Sequence, residues 1–197
     1  MKFVIAAFDF DGTIVKKDTF LDFILYSCSS KRAFFGGIKS MFVLLLFVSK
    51  IISSDSAKEK IFSIFFKGMS ADTFARLCKN YSLNRLPQMI KKQAFQKIQW
   101  HKQQGHKLVI VSASIEDWIK PWAEKNDFEK VIATATEAKN GILTGKFRTK
   151  NCNKEEKVKR LLQEYPNKEN YYLYAYGDNH KDKQFLEMAD EAFYGKF

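Results

Sequence analysis

The chain has 197 residues, of which 46% are hydrophobic and 28% charged, and this balance is typical of a globular protein with a packed core. Its net charge of +11 fits either a basic soluble protein or a protein with an anionic partner, such as nucleic acid, an acidic membrane surface or a phosphorylated substrate. Cys28, Cys78 and Cys152 are scattered, which argues against a disulfide framework and predicts a cytoplasmic protein.

Short apolar runs predict the strands of a sheet. The first run, at 3–8, lacks the long apolar segment and the cleavage site of a signal peptide, so we interpret it as a strand buried on both faces. Three similar runs follow, at 108–111, 131–134 and 171–176. Helical patterns cover roughly 88–103, 115–126, 154–165 and 181–189. This alternation predicts an α/β fold, a parallel sheet flanked by helices.

Residues 15–85 do not follow this alternation and are predicted to be helical throughout. We interpret them as a helical cap inserted after the first strand, with a catalytic core formed by 1–14 and 86–197. Ser70 is the predicted N-cap of one cap helix. Asn140 and Gly141 predict the turn of a small hairpin in the core. His101 and His106 are predicted to be surface residues of a basic helix.

Segment 41–52 of the cap is almost entirely apolar. As a helix its twelve residues span about 18 Å, which is shorter than a bilayer requires. Three interpretations are open: a buried cap helix, a membrane-surface helix or lipid-tail groove flanked by lysines, and a membrane span.

The end of the first predicted strand carries two acids. Asp9 and Asp11 are two residues apart, so their side chains leave the strand on the same side. One carboxylate can attack phosphorus while the other holds a proton for the leaving oxygen. Gly12 permits an unusual backbone angle, and the Thr13 hydroxyl can bind a phosphate oxygen. A solvated turn after a strand would fit the same four residues.

Further motifs follow in a recognisable order. The run D-F-D-G-T-I at 9–14 resembles the first motif of the haloacid dehalogenase superfamily, and V-I-V-S at 109–112 resembles the second. The third is a lysine near the start of a helix, and the fourth resembles G-D-N-H-K-D at 177–182. The helical insertion is similar to the C1-type cap of the phosphoserine-phosphatase-like branch. Stretches 111–118 and 151–158, with the apolar basic cap, look most like hydrolases related to phosphatidylglycerophosphatase C.

This resemblance implies a Rossmann-like core and a Mg²⁺-dependent phosphatase. Asp9 would be the nucleophile, Asp11 the general acid and then the base, and Ser112 a ligand of the transferred phosphoryl group. The implied phosphate-binding residues are Gly12, Thr13, Ser112 and Ala113. The implied metal-binding residues are Asp9, Asp11 through its backbone carbonyl, Asp178 and Asp182.

Two lysines compete for the third motif. Helical periodicity from Lys154 places Val158 and Leu161 on the core face. The related sequences read roughly G-E-E-K-V, with glycine at the position of Lys154, and this favours Lys157. The other lysine would be a solvated charge on the helix.

Three functions are compatible with these observations. The first is hydrolysis of a lipid-linked phosphate such as phosphatidylglycerol phosphate, with peripheral membrane contact through the cap at the inner face of the membrane. The second is hydrolysis of a small soluble phosphate, such as phosphoserine or a sugar phosphate. The third is a non-catalytic basic protein that binds anions. No nucleic-acid-binding motif is present, so a nucleic-acid partner is not expected, and nothing in the sequence indicates an oligomeric state.

Overall fold

A parallel sheet forms the centre of the protein, in a computed structural model that describes residues 2–195. The strands of this part of the chain are β1 (Phe3–Phe8), β2 (Lys107–Ile115), β3 (Lys130–Thr134), β4 (Thr136–Lys139), β5 (Ile142–Phe147), β6 (Tyr171–Gly177) and β7 (Glu191–Tyr194). The central sheet has the order β3-β2-β1-β6-β7, and every neighbouring pair in it is parallel. The predicted α/β fold is therefore confirmed.

The helices cover both the predicted core and the insertion after β1. They are α1 (Thr19–Ser27), α2 (Ser30–Val48), α3 (Ser54–Phe66), α4 (Ala71–Asn80), α5 (Lys92–Gln103), α6 (Glu116–Lys125), α7 (Glu155–Glu164) and α8 (Lys183–Glu187). A π-helical turn at Tyr81–Arg85 and a 3₁₀ turn at Leu86–Met89 connect α4 to α5. The division into a cap at 15–85 and a core at 1–14 and 86–197 stays a prediction.

Burial on both faces explains the continuous apolar run of β1. Because side chains alternate along a strand, Ala6 and Phe8 join the larger apolar cluster, whereas Ile5 and Ala7 join a second cluster on the opposite face. All four side chains are fully buried. The sheet therefore has a packed apolar layer on each of its two faces.

Aromatic contacts join the insertion to the rest of the protein. Phe23 of α1 stacks on Trp118 of α6 with ring centroids 4.4 Å apart. Phe62 of α3 contacts Phe147 of the β4–β5 hairpin at 5.3 Å. Ser70 accepts a hydrogen bond from the Thr73 backbone N–H and caps α4, as predicted. These contacts hold α1 and α3 over the carboxyl ends of the strands.

The apolar segment 41–52 is mostly exposed. Residues 41–48 form the last turns of α2, and in this stretch Val43 is the buried side chain. The interpretation of a buried cap helix is therefore wrong, because the buried side of α2 is a narrow stripe formed by Gly36, Ser40 and Val43. Within residues 2–195, no helix combines the length and apolar character that crossing a membrane requires.

His101 is not a surface residue, so that prediction is wrong. His101 is fully buried, because it lies on the inward stripe of α5 with Ala94 and Ile98. Its Nε2 is 2.8 Å from the Tyr176 hydroxyl, and its Nδ1 is 2.7 Å from Nδ1 of His106. His101 is thus part of a buried polar chain between α5 and β6.

Candidate active site

The predicted acids gather where the central strands end. Asp9 follows β1, Asp178 follows β6, and Ser112 lies in β2, the other neighbour of β1. The Asp9 backbone N–H donates to the Tyr176 carbonyl at 2.8 Å, so strand pairing holds the backbone of Asp9 in place. This is the edge of a parallel α/β sheet at which ligands bind.

Three carboxylates form a compact group. One oxygen each from Asp9, Asp178 and Asp182 lies within 4.8 Å of the other two. Asp182 Oδ2 accepts hydrogen bonds from the backbone N–H groups of Asp178, at 3.3 Å, and Asn179, at 3.2 Å. The turn after β6 therefore fixes the positions of both of its aspartates.

Lys157 is the lysine that reaches this group. Its Nζ lies 2.5 Å from Asp9 Oδ1 and 2.6 Å from Asp182 Oδ1, and the side chain is buried. Lys157 and Leu161 form the buried stripe of α7, whereas Val158 is half-buried. Lys154 is exposed at the N-cap of α7, so its proposed place in the site is wrong.

The loop after β1 positions two further predicted residues. Asp11 Oδ1 accepts a hydrogen bond from the Thr19 backbone N–H at 3.1 Å, and its carboxylate lies outside the three-carboxylate group. Thr13 Oγ1 lies 3.2 Å from Asp9 Oδ2 and 3.4 Å from Asp178 Oδ1, so its hydroxyl can donate to either oxygen. The two acids of the first motif therefore have different surroundings.

Burial affects both of these acids. It raises the pKa of Asp11 to about 7, and the negative charge of Asp18 adds to this effect. Burial also raises the pKa of Asp9 to about 6, although the ammonium of Lys157 opposes it. Burial acts to lower the pKa of Lys157, but the charges of Asp9 and Asp182 outweigh it and raise that pKa. A neighbouring cation therefore favours the ionised form of Asp9, whereas the strongest neighbouring charge on Asp11 is negative and favours its protonated form.

The second motif brings backbone groups to the same edge. Ser112 is buried, and its Oγ accepts a hydrogen bond from the Ser114 backbone N–H at 3.0 Å. The carbonyl of Ala113 accepts from Nζ of Lys58, at 2.5 Å, and from Thr134 Oγ1, at 2.8 Å. A lysine of α3 therefore lies beside the residues predicted to bind phosphate.

Comparison with known proteins decides the family. The model of the haloacid dehalogenase-like hydrolases matches residues 6–187. The chain belongs to this family. Because members of this family are hydrolases, the chain is an enzyme. The interpretation as a non-catalytic anion-binding protein is therefore rejected.

Similar proteins span almost the whole chain. Protein CicA of Caulobacter vibrioides is 27% identical over 98% of this chain and 86% of its own length. A protein of unknown function from Bordetella pertussis Tohama I matches with a TM-score of 0.83 at 19% identity, over 95% of this chain and 87% of that one. A substrate-bound phosphoserine phosphatase matches with a TM-score of 0.63 at 20% identity, over 96% and 84%. These solved structures support the hydrolase fold.

The pocket of this haloacid dehalogenase-like hydrolase has two kinds of lining. A cavity of about 320 Å³ contains Asp9, Asp11, Ser112, Lys157 and Asp178 at its polar end. Residues of α1, α2 and α3 form its apolar wall: Phe20, Leu21, Leu44, Phe47 and Ile61. Leu44 and Phe47 belong to segment 41–52, for which a lipid-tail groove was one of the predictions, whereas Phe20, Leu21 and Ile61 were not predicted to line the site.

Sequence reasoning also missed Lys58 and Asp18 of this hydrolase. Both line the cavity, and Asp18 additionally caps α1 by accepting from the Leu21 backbone N–H at 3.0 Å. Neither residue belongs to a motif, and Lys58 follows Asp9 by 49 positions in the sequence, so local spacing does not reveal that the two are close. The folding of α1 and α3 over the sheet brings them to the site.

Proposed function

We propose that this hydrolase is a Mg²⁺-dependent phosphomonoester hydrolase that forms an aspartyl phosphate on Asp9 and acts on a lipid-linked phosphate such as phosphatidylglycerol phosphate. The observation that carries the proposal is the pairing of an acidic group and a buried lysine with an apolar wall in one pocket. The charged end suits a phosphate, and the apolar wall suits the hydrocarbon part of a substrate.

The donor set fits Mg²⁺. Carboxylate oxygens of Asp9, Asp178 and Asp182 lie within 4.8 Å of one another, and the ammonium of Lys157 contacts two of these residues. Hard oxygen ligands are the ones that Mg²⁺ binds. We assign Asp9, Asp178, Asp182 and the backbone carbonyl of Asp11 as the residues that would hold the ion. When bound, it would offset the repulsion between the nucleophile and an anionic phosphate.

In the first step, a carboxylate oxygen of Asp9 attacks phosphorus and the bond to the ester oxygen breaks. Asp11 donates its proton to that oxygen, so the product leaves as a neutral alcohol. Ser112 and Thr13 lie beside Asp9 and would donate hydrogen bonds to the phosphoryl oxygens. Lys157 keeps Asp9 ionised and oriented through its 2.5 Å contact.

In the second step, Asp11 is ionised and accepts a proton from water. The resulting hydroxide attacks the phosphorus of the aspartyl phosphate, which releases inorganic phosphate and restores the Asp9 carboxylate. A carboxyl whose pKa lies near neutral pH can serve both steps, and burial raises that of Asp11 to about 7.

The apolar wall supports a lipid substrate. Leu21, Leu44 and Phe47 line the cavity and still expose 59%, 48% and 40% of their surfaces, so apolar area remains free beside the catalytic group. A glycerol phosphate headgroup could bind at the polar end while its acyl chains contact this wall. With such a substrate, the enzyme would work in the cytoplasm, as its scattered cysteines predict, and at the inner face of the membrane.

A small soluble phosphate is the second candidate. The ammonium of Lys58 lies in the same pocket and could bind a second anionic group, such as the carboxylate of phosphoserine. The fold similarity to a substrate-bound phosphoserine phosphatase supports the same candidate.

Phosphate release from phosphatidylglycerol phosphate in micelles, phosphoserine and a sugar phosphate, with Mg²⁺ or with a chelator, tests the proposal. We expect Mg²⁺-dependent turnover that is fastest on the lipid and absent in Asp9→Asn. The exposed Asp72→Asn variant, on α4, is the matched control and should retain full turnover. Preference for phosphoserine would establish the second candidate, and equal turnover by Asp9→Asn would exclude the covalent mechanism.

A further inference from the structure

The distribution of apolar side chains on helix α2 is the reverse of that on an ordinary surface helix. Its buried stripe consists of Gly36, Ser40 and Val43, two of which are small or polar. A Cβ placed on Gly36 would lie 2.2 Å from the ring of Phe65, so the small stripe lets α2 pack closely against α3. A surface helix normally buries its large apolar side chains and exposes polar ones.

The large apolar side chains of α2 point outward instead. Phe34, Ile38, Met41 and Leu45 are separated by four, three and four residues, so they form one line on the side opposite the buried stripe. They expose 65%, 40%, 56% and 58% of their surfaces. We call these four residues the outer cap face. A contiguous exposed apolar surface of this kind marks a site of interaction.

This face is continuous with the mouth of the catalytic pocket. Leu44 lies three residues after Met41, beside the outer cap face, and lines the pocket. Phe47, which follows the buried Val43 by four residues, and Leu21 of α1 line the pocket as well. Leu25 lies one turn after Leu21 on α1 and is 69% exposed. Whatever covers the outer cap face therefore also borders the entrance through which substrate reaches Asp9.

The segment of the chain between Asp22 and Asp55, which contains α2, carries charges of one sign. Residues 23–54 include four cations, Lys31, Arg32, Lys39 and Lys50, and no acid. Helix α2 thus combines exposed aromatic and aliphatic side chains with flanking lysines and arginine. This combination is typical of helices that lie in the interface of an anionic bilayer.

We propose that the outer cap face inserts into the surface of a membrane that contains anionic lipids, and that this docking opens the catalytic pocket directly onto the bilayer. The inference rests on the proposed function, because it supplies the route by which a lipid phosphate would reach Asp9. Lys31, Lys39 and Lys50 would contact lipid phosphates, while Phe34, Met41 and Leu45 enter the acyl region.

A second copy of the chain fits this face less well than a bilayer does. Two copies joined face to face would bring the cations of 23–54 together without any acid from the same segment to pair with them. They would also cover the mouth lined by Leu21, Leu44 and Phe47. Anionic lipids neutralise the cations and leave a route for the substrate.

Vesicle flotation of the whole chain tests the proposal. We expect the protein to float with vesicles of phosphatidylcholine and phosphatidylglycerol, and to float less with phosphatidylcholine alone. The double substitution Met41→Asp and Leu45→Asp should weaken partitioning by at least about tenfold, because it removes two side chains that insert. Tyr194→Asp is the matched control: Tyr194 is 58% exposed on β7, the edge strand of the sheet, and its substitution should leave flotation unchanged.

Hydrolysis of p-nitrophenyl phosphate in solution reports separately on the catalytic site. Equal hydrolysis by wild type and the double variant, with loss of flotation in the variant, supports docking through this face. Flotation that is unchanged in the double variant would overturn the proposal. So would a dimer that the same substitutions convert to monomers while neither protein binds vesicles. Vesicle binding without any phosphatase activity would uphold the docking surface and reject the proposed function.

Discussion

The carboxylate of Asp178 packs directly against Gly12. A Cβ placed on Gly12 would lie 2.0 Å from Oδ2 of Asp178, and Gly12 has a φ of +81° that disfavours other residues. We therefore expect Gly12→Ala to displace Asp178 from the acidic group and to lower phosphate release by about a hundredfold, since a shift of about 1 Å at a catalytic group has such an effect. Isothermal titration should show weaker Mg²⁺ binding.

Gly141→Ala is the control for backbone strain in this comparison. Gly141 has a φ of +74°, yet no atom lies within 4 Å of the added Cβ. Both variants should lose a similar amount of stability to the left-handed conformation, about 1 kcal/mol. Phosphate release that falls equally in the two variants would show that contact with Asp178 is not the reason for glycine at position 12.

Removal of Lys157 should affect both stability and turnover. The variant Lys157→Gln leaves the buried carboxylates of Asp9 and Asp182 without the cation that lies 2.5 and 2.6 Å from them. We expect a loss of about 3 kcal/mol in the free energy of unfolding, with part of it restored by Mg²⁺, and a loss of turnover. Urea unfolding with and without Mg²⁺, together with phosphate release, measures these effects.

Lys154→Gln separates the two lysines of the same segment. Its side chain is exposed, so we expect a change within about 0.5 kcal/mol in stability and normal turnover. A strong loss of activity in this variant, with Lys157→Gln active, would reverse the assignment made from the geometry.

Asp11→Asn should show a dependence on the leaving group. An alkyl phosphate needs a proton on its departing oxygen, whereas p-nitrophenolate leaves without one. We expect Asp11→Asn to lower the rate of phosphoenzyme formation about a hundredfold or more with an alkyl phosphate, and much less with p-nitrophenyl phosphate. Rapid-quench measurement of that step gives both rates. Equal losses on the two substrates would exclude Asp11 as the proton donor.

Motif residues were predictable because each follows a strand whose apolar run is visible in the sequence. Asp9 and Asp178 follow β1 and β6, and the parallel pairing of these strands brings their ends together. Strand β7 was missed because the apolar run in Glu191–Tyr194 is three residues long, which is too short to predict a strand from the sequence. Residues that directly follow a buried strand could therefore be predicted from the sequence, whereas a short strand at the edge of the sheet could not.

The remaining features depend on which helices pack together, and composition alone does not reveal this. Segment 41–52 has the composition of a buried helix, and its exposure depends on which side of α2 contacts α3, which composition does not encode. Lys58 reaches Ala113 only through the folded position of α3. His101, by contrast, follows Ala94 and Ile98 at helical spacing, so the periodicity of α5 could have revealed its burial.

The buried histidine gives the protein a specific dependence on pH. Burial lowers the pKa of His101 to about 3, with the neighbouring His106 and Lys97 adding to the effect, whereas an unfolded histidine titrates near 6.5. Between these values the unfolded chain binds the proton and the folded chain does not. Stability from neutral His101 is therefore complete above about pH 6.5 and decreases as the pH falls toward 3, by about 1.4 kcal/mol for each pH unit.

Comparison with His101→Gln isolates this contribution from that of the carboxyls. The variant should be less stable than wild type at pH 7.5, because it disturbs the contacts with Tyr176 and His106, but its stability should decline less steeply between pH 6.5 and 4.5. The exposed His180→Gln variant is the control for loss of an imidazole and should be about as stable as wild type at pH 7.5. Urea unfolding at several pH values measures all three proteins. Parallel curves for wild type and His101→Gln would mean that His101 binds a proton as readily in the folded state as in the unfolded chain, which the full burial of its side chain disfavours.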